Sequence, residues 1–167
     1  MIRKLAIVYG LGGGWLDPRG GEDTLRQRCA AVGFTVPPMP FDYTDSQGIY
    51  NFLHDADWRG LIGDSAGASY AGRYAQSIAP TKLDYLAGFQ PSIWMGLWSD
   101  ISIPPNVIYA HVVRDPDWID TQGLGYAQWI VSKPTTLVVT EHRGAHPDDY
   151  GPMQDLIFAE VKMKGGL

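Results

Sequence analysis

Apolar residues in this chain gather in short, separated runs. Leu5-Ala6-Ile7-Val8-Tyr9 is unbroken, and Trp58–Ile62, Leu83–Phe89, Val107–Val113 and Thr136–Thr140 are dominated by apolar residues. Runs of this length without polar alternation predict strands buried on both faces of a parallel sheet. Phe34-Thr35-Val36 reads as a sixth, shorter strand that Pro37-Pro38 ends. Between the runs lie helical segments with start and stop signals. One opens at Asp23-Thr24-Leu25 and runs to about Val32, with Gly33 as its stop. A second is capped by Asp45 or Ser46 and continues through Leu53; a third spans Ala66–Ile78; the last spans Met153–Lys162. Tyr126–Val131 is too short to assign, and Pro91–Pro105 reads as a Pro- and Trp-rich connection with room for at most a flap. Strands alternating with helices predict an α/β three-layer sandwich. It has a mostly parallel sheet of about six strands and helices on both faces, in one domain over residues 1–167.

Composition narrows the functional classes. Hydrophobic residues make up 45% of the 167 and charged residues 19%, ordinary for a globular domain with a full core. The net charge of −5, without a basic cluster, lacks the electrostatic footprint of nucleic-acid binding. A single cysteine, Cys29, excludes an internal disulfide and a Cys-rich zinc site; its expected place is the buried face of a helix. Met1-Ile2-Arg3-Lys4 and the five apolar residues after it only faintly resemble a signal peptide, being too short for an h-region. No stretch has the length of a membrane span, so the expected compartment is the cytoplasm.

The stretch with chemical content is Leu61-Ile62-Gly63-Asp64-Ser65-Ala66-Gly67, where an apolar strand meets a small-residue helix. Strand, Gly-x-Ser-x-Gly and helix make a nucleophile elbow. The sharp turn strains the backbone of Ser65, and the residues two positions away, Gly63 and Gly67, must lack bulk. The helix that follows aims its N-terminal amides at the serine, where an oxyanion would develop. A serine nucleophile also needs a base and a group to orient that base. Asp115 follows the strand Val107–Val113 after one residue, and His146 lies in the loop after Thr136–Thr140. The chain order Ser, Asp, His, each at a strand end, fits that chemistry. Asp117 and Asp120 lie near Asp115 and compete with it; Asp115 is nearest the strand end. His142 competes with His146, whose later position gives it more reach towards Ser65. His111 within a strand and His54 near a helix end read as structural.

On these residues the chain resembles the α/β-hydrolase family over nearly its whole length, from the strand at Leu5 to the helix ending near Lys162. Val113-Arg114-Asp115-Pro116 resembles the family's Asp-Pro turn, and Gly144-Ala145-His146-Pro147-Asp148 its Gly-x-His turn. The resemblance implies Ser65 as nucleophile, His146 as general base and Asp115 as its orienting acid. Oxyanion donors would be the backbone N–H of Ala66 and one from Leu11 or Gly12. Gly10-Leu11-Gly12-Gly13-Gly14 is similar to the His-Gly-Gly-Gly loop of lipases and esterases, with Tyr9 where the histidine would stand. Gly-Asp-Ser-Ala-Gly resembles the elbow of hormone-sensitive-lipase-like esterases, whose chains are far longer. The family's first two strands and any cap domain are missing, and in compactness the chain is similar to cutinases and other lidless hydrolases.

Trp15, Tyr43, Trp94, Trp98 and Trp118 fall in loops after strands, where ligands gather on open α/β sheets. Trp15, Trp94 and Trp118, with Asp64 beside the serine, are the candidate substrate-binding residues. The expectation is a serine hydrolase acting on a small or polymeric carboxylic ester, with no cofactor, no metal, no nucleic-acid partner and no membrane span. His142, His146, Asp148 and Asp149 are grouped in sequence, but the hydrolase loop explains them better than a metal does. Two other readings compete. One is a hydrolase-shaped binding or structural protein. The other is a flavodoxin-like nucleotide-binding domain on the glycine loop, although Trp15 stands where a dinucleotide fingerprint needs its third glycine.

Overall fold

A computed structural model of the chain describes residues 1–9, 21–79, 81–89, 100–116, 128–142 and 150–167. Its elements are β1 (Arg3–Val8), α1 (Gly21–Ala31), α2 (Ser46–Leu53), β2 (Trp58–Asp64), α3 (Ala66–Ser77), β3 (Leu83–Phe89), β4 (Asp100–Ile103), β5 (Val107–Arg114), β6 (Gln128–Val131), β7 (Thr136–Glu141) and α4 (Tyr150–Gly165). Five strands form a parallel sheet in the order β1-β2-β3-β5-β7, and β4 pairs with β6, also in parallel, as a separate two-stranded sheet.

The buried runs build this sheet because successive residues feed opposite faces. Ala6, Val8, Leu61, Leu86, Ala110 and Val112 belong to one core cluster, closed by Ile49 and Leu53 of α2, Ala71, Tyr74 and Ala75 of α3, and the small sheet. Leu5, Ile7, Ile62, Tyr85, Ala87 and Val113 belong to the other, closed by Leu25 and Cys29 of α1 and Ile157 and Val161 of α4. Helices therefore cover both faces of a parallel sheet, an α/β sandwich. Local signals set the helix ends. The Asp45 carboxylate accepts from the Gly48 N–H at 2.9 Å and starts α2, and Gly33, at φ +102°, turns the chain out of α1. Cys29 is fully buried on α1, as expected.

The last helix runs three residues beyond Met153–Lys162 at each end, and two details of the strands differ from the sequence-based expectation. Residues 34–36 add no strand of their own. Thr35 makes a single bridge to Lys4, held by Leu5 N–H to Thr35 O at 2.9 Å and Thr35 N–H to Arg3 O at 2.8 Å. Pro37 and Pro38 have no N–H with which to extend that ladder. The second difference is the small sheet. β4 lies inside the Pro- and Trp-rich connection, and β6 inside the unassigned stretch. Ile101, Ile103 and Trp129 anchor the pair to the core, at 1%, 0% and 6% exposed. The polar-apolar alternation of Asp100-Ile101-Ser102-Ile103 is the signal for it, but it lasts only four residues.

Candidate active site

The C-terminal ends of the parallel strands share one edge. In register, Val8 pairs with Gly63, Asp64 with Phe89, Phe89 with Val113, and Arg114 with Glu141. Ser65, Asp115 and His142, each the residue after its strand, therefore stand in a row along this edge. In open α/β sheets that edge is where ligands bind.

Ser65 is the N-cap of α3 with φ +49° and ψ −116°, and among the described residues it is the one non-glycine with positive φ. Such a conformation costs on the order of 1–3 kcal/mol and persists only where the surroundings enforce it. Here they do. The Ser65 N–H donates to Phe89 O at 2.8 Å, and its carbonyl accepts from Ala68 N–H at 3.1 Å. The turn is also packed too tightly for side chains at the flanking glycines. A Cβ on Gly63 would lie 2.3 Å from the Gly67 carbonyl oxygen, and one on Gly67 would lie 2.3 Å from the Tyr9 carbonyl oxygen. Both neighbours are backbone atoms, which cannot swing aside.

A serine at an N-cap usually accepts a hydrogen bond from the helix's first turn. Ser65 does not: its side chain makes no capping bond, whereas Asp45 caps α2 in the ordinary way. Helix capping therefore does not explain this serine. Ala66, buried at 3% exposure, contributes the first amide of α3, one of the four at a helix start without an intrahelical acceptor. Asp64, the last residue of β2, is half-buried.

Asp115 is 2% exposed directly beyond β5. It stands two strands across and one residue above Ser65, which puts their Cα atoms about 10 Å apart. That is too far for contact, but it leaves room for an imidazole hydrogen-bonded on both sides, which spans about 8 Å. His142 follows β7 and donates its backbone N–H to Arg114 O at 2.9 Å. It is three strands from Ser65, about 15 Å between Cα atoms, and its side chain lines a groove with Pro152, Leu156 and Met163 of α4. His142 thus lies beyond the reach of Ser65. His146, Leu11, Gly12, Trp15, Trp94 and Trp118 lie outside the described residues, as do Asp117 and Asp120.

Asp64, Arg114 and Glu141 also lie along this row, Arg114 paired with Glu141, whereas His111 and Cys29 stand away from it. His111 is buried in β5; its Nε2 lies 2.9 Å from Thr140 Oγ1 and its Nδ1 3.8 Å from a Glu160 oxygen. Burial holds its imidazole below the usual histidine range, and Glu160 opposes that shift. Burial pushes the Cys29 thiol up to about 12, which disfavours the thiolate that nucleophilic attack or metal ligation needs. Among the described residues no three His, Cys, Asp or Glu side chains group as metal ligands, and no helix is long and apolar enough to cross a membrane. Compared with protein-family models, curated proteins and solved structures, the chain matches none, so its site is read from its own geometry.

Proposed function

We propose that this protein is a serine hydrolase that cleaves carboxylic esters through an acyl-enzyme intermediate, in a minimal α/β-hydrolase fold. The observation that carries the reading is the Ser65 backbone at φ +49°, enforced by Gly63 and Gly67 and not accounted for by capping. A strained serine between a buried parallel strand and a helix N-terminus is the arrangement that exposes a nucleophilic hydroxyl at the sheet edge.

In this reading Ser65 Oγ attacks the ester carbonyl as His146 accepts its proton, and a tetrahedral oxyanion forms. The Ala66 N–H, together with an N–H of Leu11 or Gly12, stabilises that oxyanion, helped by the positive end of the α3 dipole. His146 then protonates the departing alcohol. Water deacylates the serine by the same steps in reverse order of roles. Asp115 holds the imidazole in the productive tautomer. The register supports the division between the two histidines. His142 is three strands away, while the four residues from His142 to His146 give up to about 13 Å of further reach. Tyr9, the residue after β1, lies beside the elbow, its carbonyl oxygen facing Gly67. The substrate is a small or polymeric carboxylic ester.

Turnover of p-nitrophenyl acetate tests the assignment of the acid. Asp115→Asn should lower kcat by about 10⁴-fold, the effect of losing the orienting carboxylate in such a triad, while Asp117→Asn stays near wild type. The opposite pattern would move the acid to Asp117, and no turnover by folded wild-type protein would remove the esterase reading.

A further inference from the structure

The two edges of the five-stranded sheet differ, and the difference stands independently of the serine chemistry. The outer edge of β1 is covered: Thr35 bridges to Lys4 and Phe41 to Val8. Among the described residues nothing pairs with the outer edge of β7, the last strand in the order. The helices also leave that edge clear. On one face α4 packs against β3 and β5, and on the other α3 packs against β2 and β3. Val139 of β7 is accordingly 47% exposed.

An open edge is a template for another strand, and proteins usually blunt it with lysine, proline or a bulge. Residues 136–140, Thr-Leu-Val-Val-Thr, carry no charge and no proline, and their register with β5 is unbroken. The ladder also fixes which backbone groups face outward. His142 N–H donates to Arg114 O, and Arg114 pairs with Glu141, so Val138 and Thr140 direct their N–H and C=O groups towards β5. Those of Leu137 and Val139 point away from the sheet.

We propose that the outer edge of β7 pairs with β7 of a second copy of this chain, antiparallel about a two-fold axis at Val138. The two five-stranded sheets then join into one. The edge's own sequence selects this occupant. In this register Val138 faces its own equivalent, Leu137 faces Val139 of the partner subunit, and Thr136 faces Thr140 of the partner subunit. Apolar residues meet apolar ones and hydroxyls meet hydroxyls, the cross-strand pairs that stabilise sheets. Leu137 and Val139 exchange backbone hydrogen bonds with their opposites. The strand ends are complementary as well. Lys133, exposed and without an ion-pair partner among the described residues, precedes β7. Glu141 ends it, and Arg114 engages only its Oε1. Antiparallel pairing brings each lysine towards the other copy's glutamate, whereas parallel pairing sets like charges side by side. Edges about 20 Å long bury less than the ~800 Å² per partner of a standard interface, so the dimer is weak, with Kd on the order of 100 µM.

Sedimentation velocity on the full chain, from about 5 µM to about 1 mM, tests the proposal, with residue-resolved amide exchange at both limits. Wild type should pass from monomer to dimer. The amides of Leu137 and Val139 should exchange freely in the monomer and slow severalfold in the dimer, while those of Val138 and Thr140 stay protected throughout. Val139→Lys, at an exposed position, should weaken dimerisation at least about tenfold without lowering the monomer's Tm. Val139→Pro removes an N–H that no strand of the monomer uses and should weaken it likewise. Lys133→Glu should weaken it by about 2–10-fold through the two end pairs. Ser65→Ala should dimerise as wild type does, so a failure of the hydrolase reading is seen separately from a failure here. A protein that stays monomeric at the highest concentration, a dimer untouched by both Val139 substitutions, or Leu137 and Val139 amides that exchange alike at both limits would overturn the proposal.

Discussion

The strain at Ser65 can be measured by replacing the serine with two residues that differ only in how they tolerate its backbone. At φ +49° and ψ −116°, a residue with a Cβ pays about 1–3 kcal/mol. Alanine keeps that penalty and glycine escapes it. Glycine in turn loses more chain entropy on folding, about 0.5–1 kcal/mol. The hydroxyl is gone in both variants, so its interactions cancel. The difference favours Ser65→Gly over Ser65→Ala by about 1 kcal/mol, which for a domain of this size is roughly 2–4 °C in Tm. Calorimetry on the two variants checks it, with both expected to be inactive toward esters. A Ser65→Gly protein melting at or below Ser65→Ala would mean that the backbone is not strained there, and the structural case for an elbow would fall with it.

The glycines around the serine should be intolerant. Gly67→Ala places a Cβ against the Tyr9 carbonyl and should lower Tm by about 2–12 °C, as overpacking of about 1–3 kcal/mol does, with a conformational melt as the readout. The buried His111 predicts an acid weakness. Its folded-state proton affinity lies below that of the unfolded chain, so the unfolded state takes up more protons as pH falls through about 6.5. Stability should therefore drop from pH 7 to 5, and His111→Asn should flatten that slope in a Tm-against-pH series. Tyr109, which donates its phenol proton to Glu160, and Thr140 stay in place in that variant. Cys29 should resist iodoacetamide in native protein and react fully once the chain is unfolded in denaturant, as mass spectrometry would show.

The parallel sheet was legible because its strands are buried on both faces. Leu83–Phe89 matches its expected limits, and the other long runs are met to within one or two residues at each end. The tight turn at Ser65 was legible because Gly63 and Gly67 are fixed by backbone contacts that only glycine permits, a constraint that leaves its mark in composition. The small sheet was not, because four-residue strands carry too little periodicity and draw their stability from α3 and the core rather than from their own sequence. Phe34-Thr35-Val36 misled in the other direction, since strand-forming residues paired once and stopped at the prolines. At the candidate site, the positions of Ser65, Ala66 and Asp115 followed from strand ends. The separation of His142 from Ser65 required the strand order, in which β5 lies between β3 and β7.

The most direct test of the central claim is covalent labelling with a fluorophosphonate, which reacts with a serine only when a base activates it. Native protein should label with one adduct on Ser65, and labelling should vanish in both Ser65→Ala and His146→Ala while His142→Ala labels normally. Folded native protein that does not label, or labelling that survives Ser65→Ala, would contradict the assignment of Ser65 as an activated nucleophile.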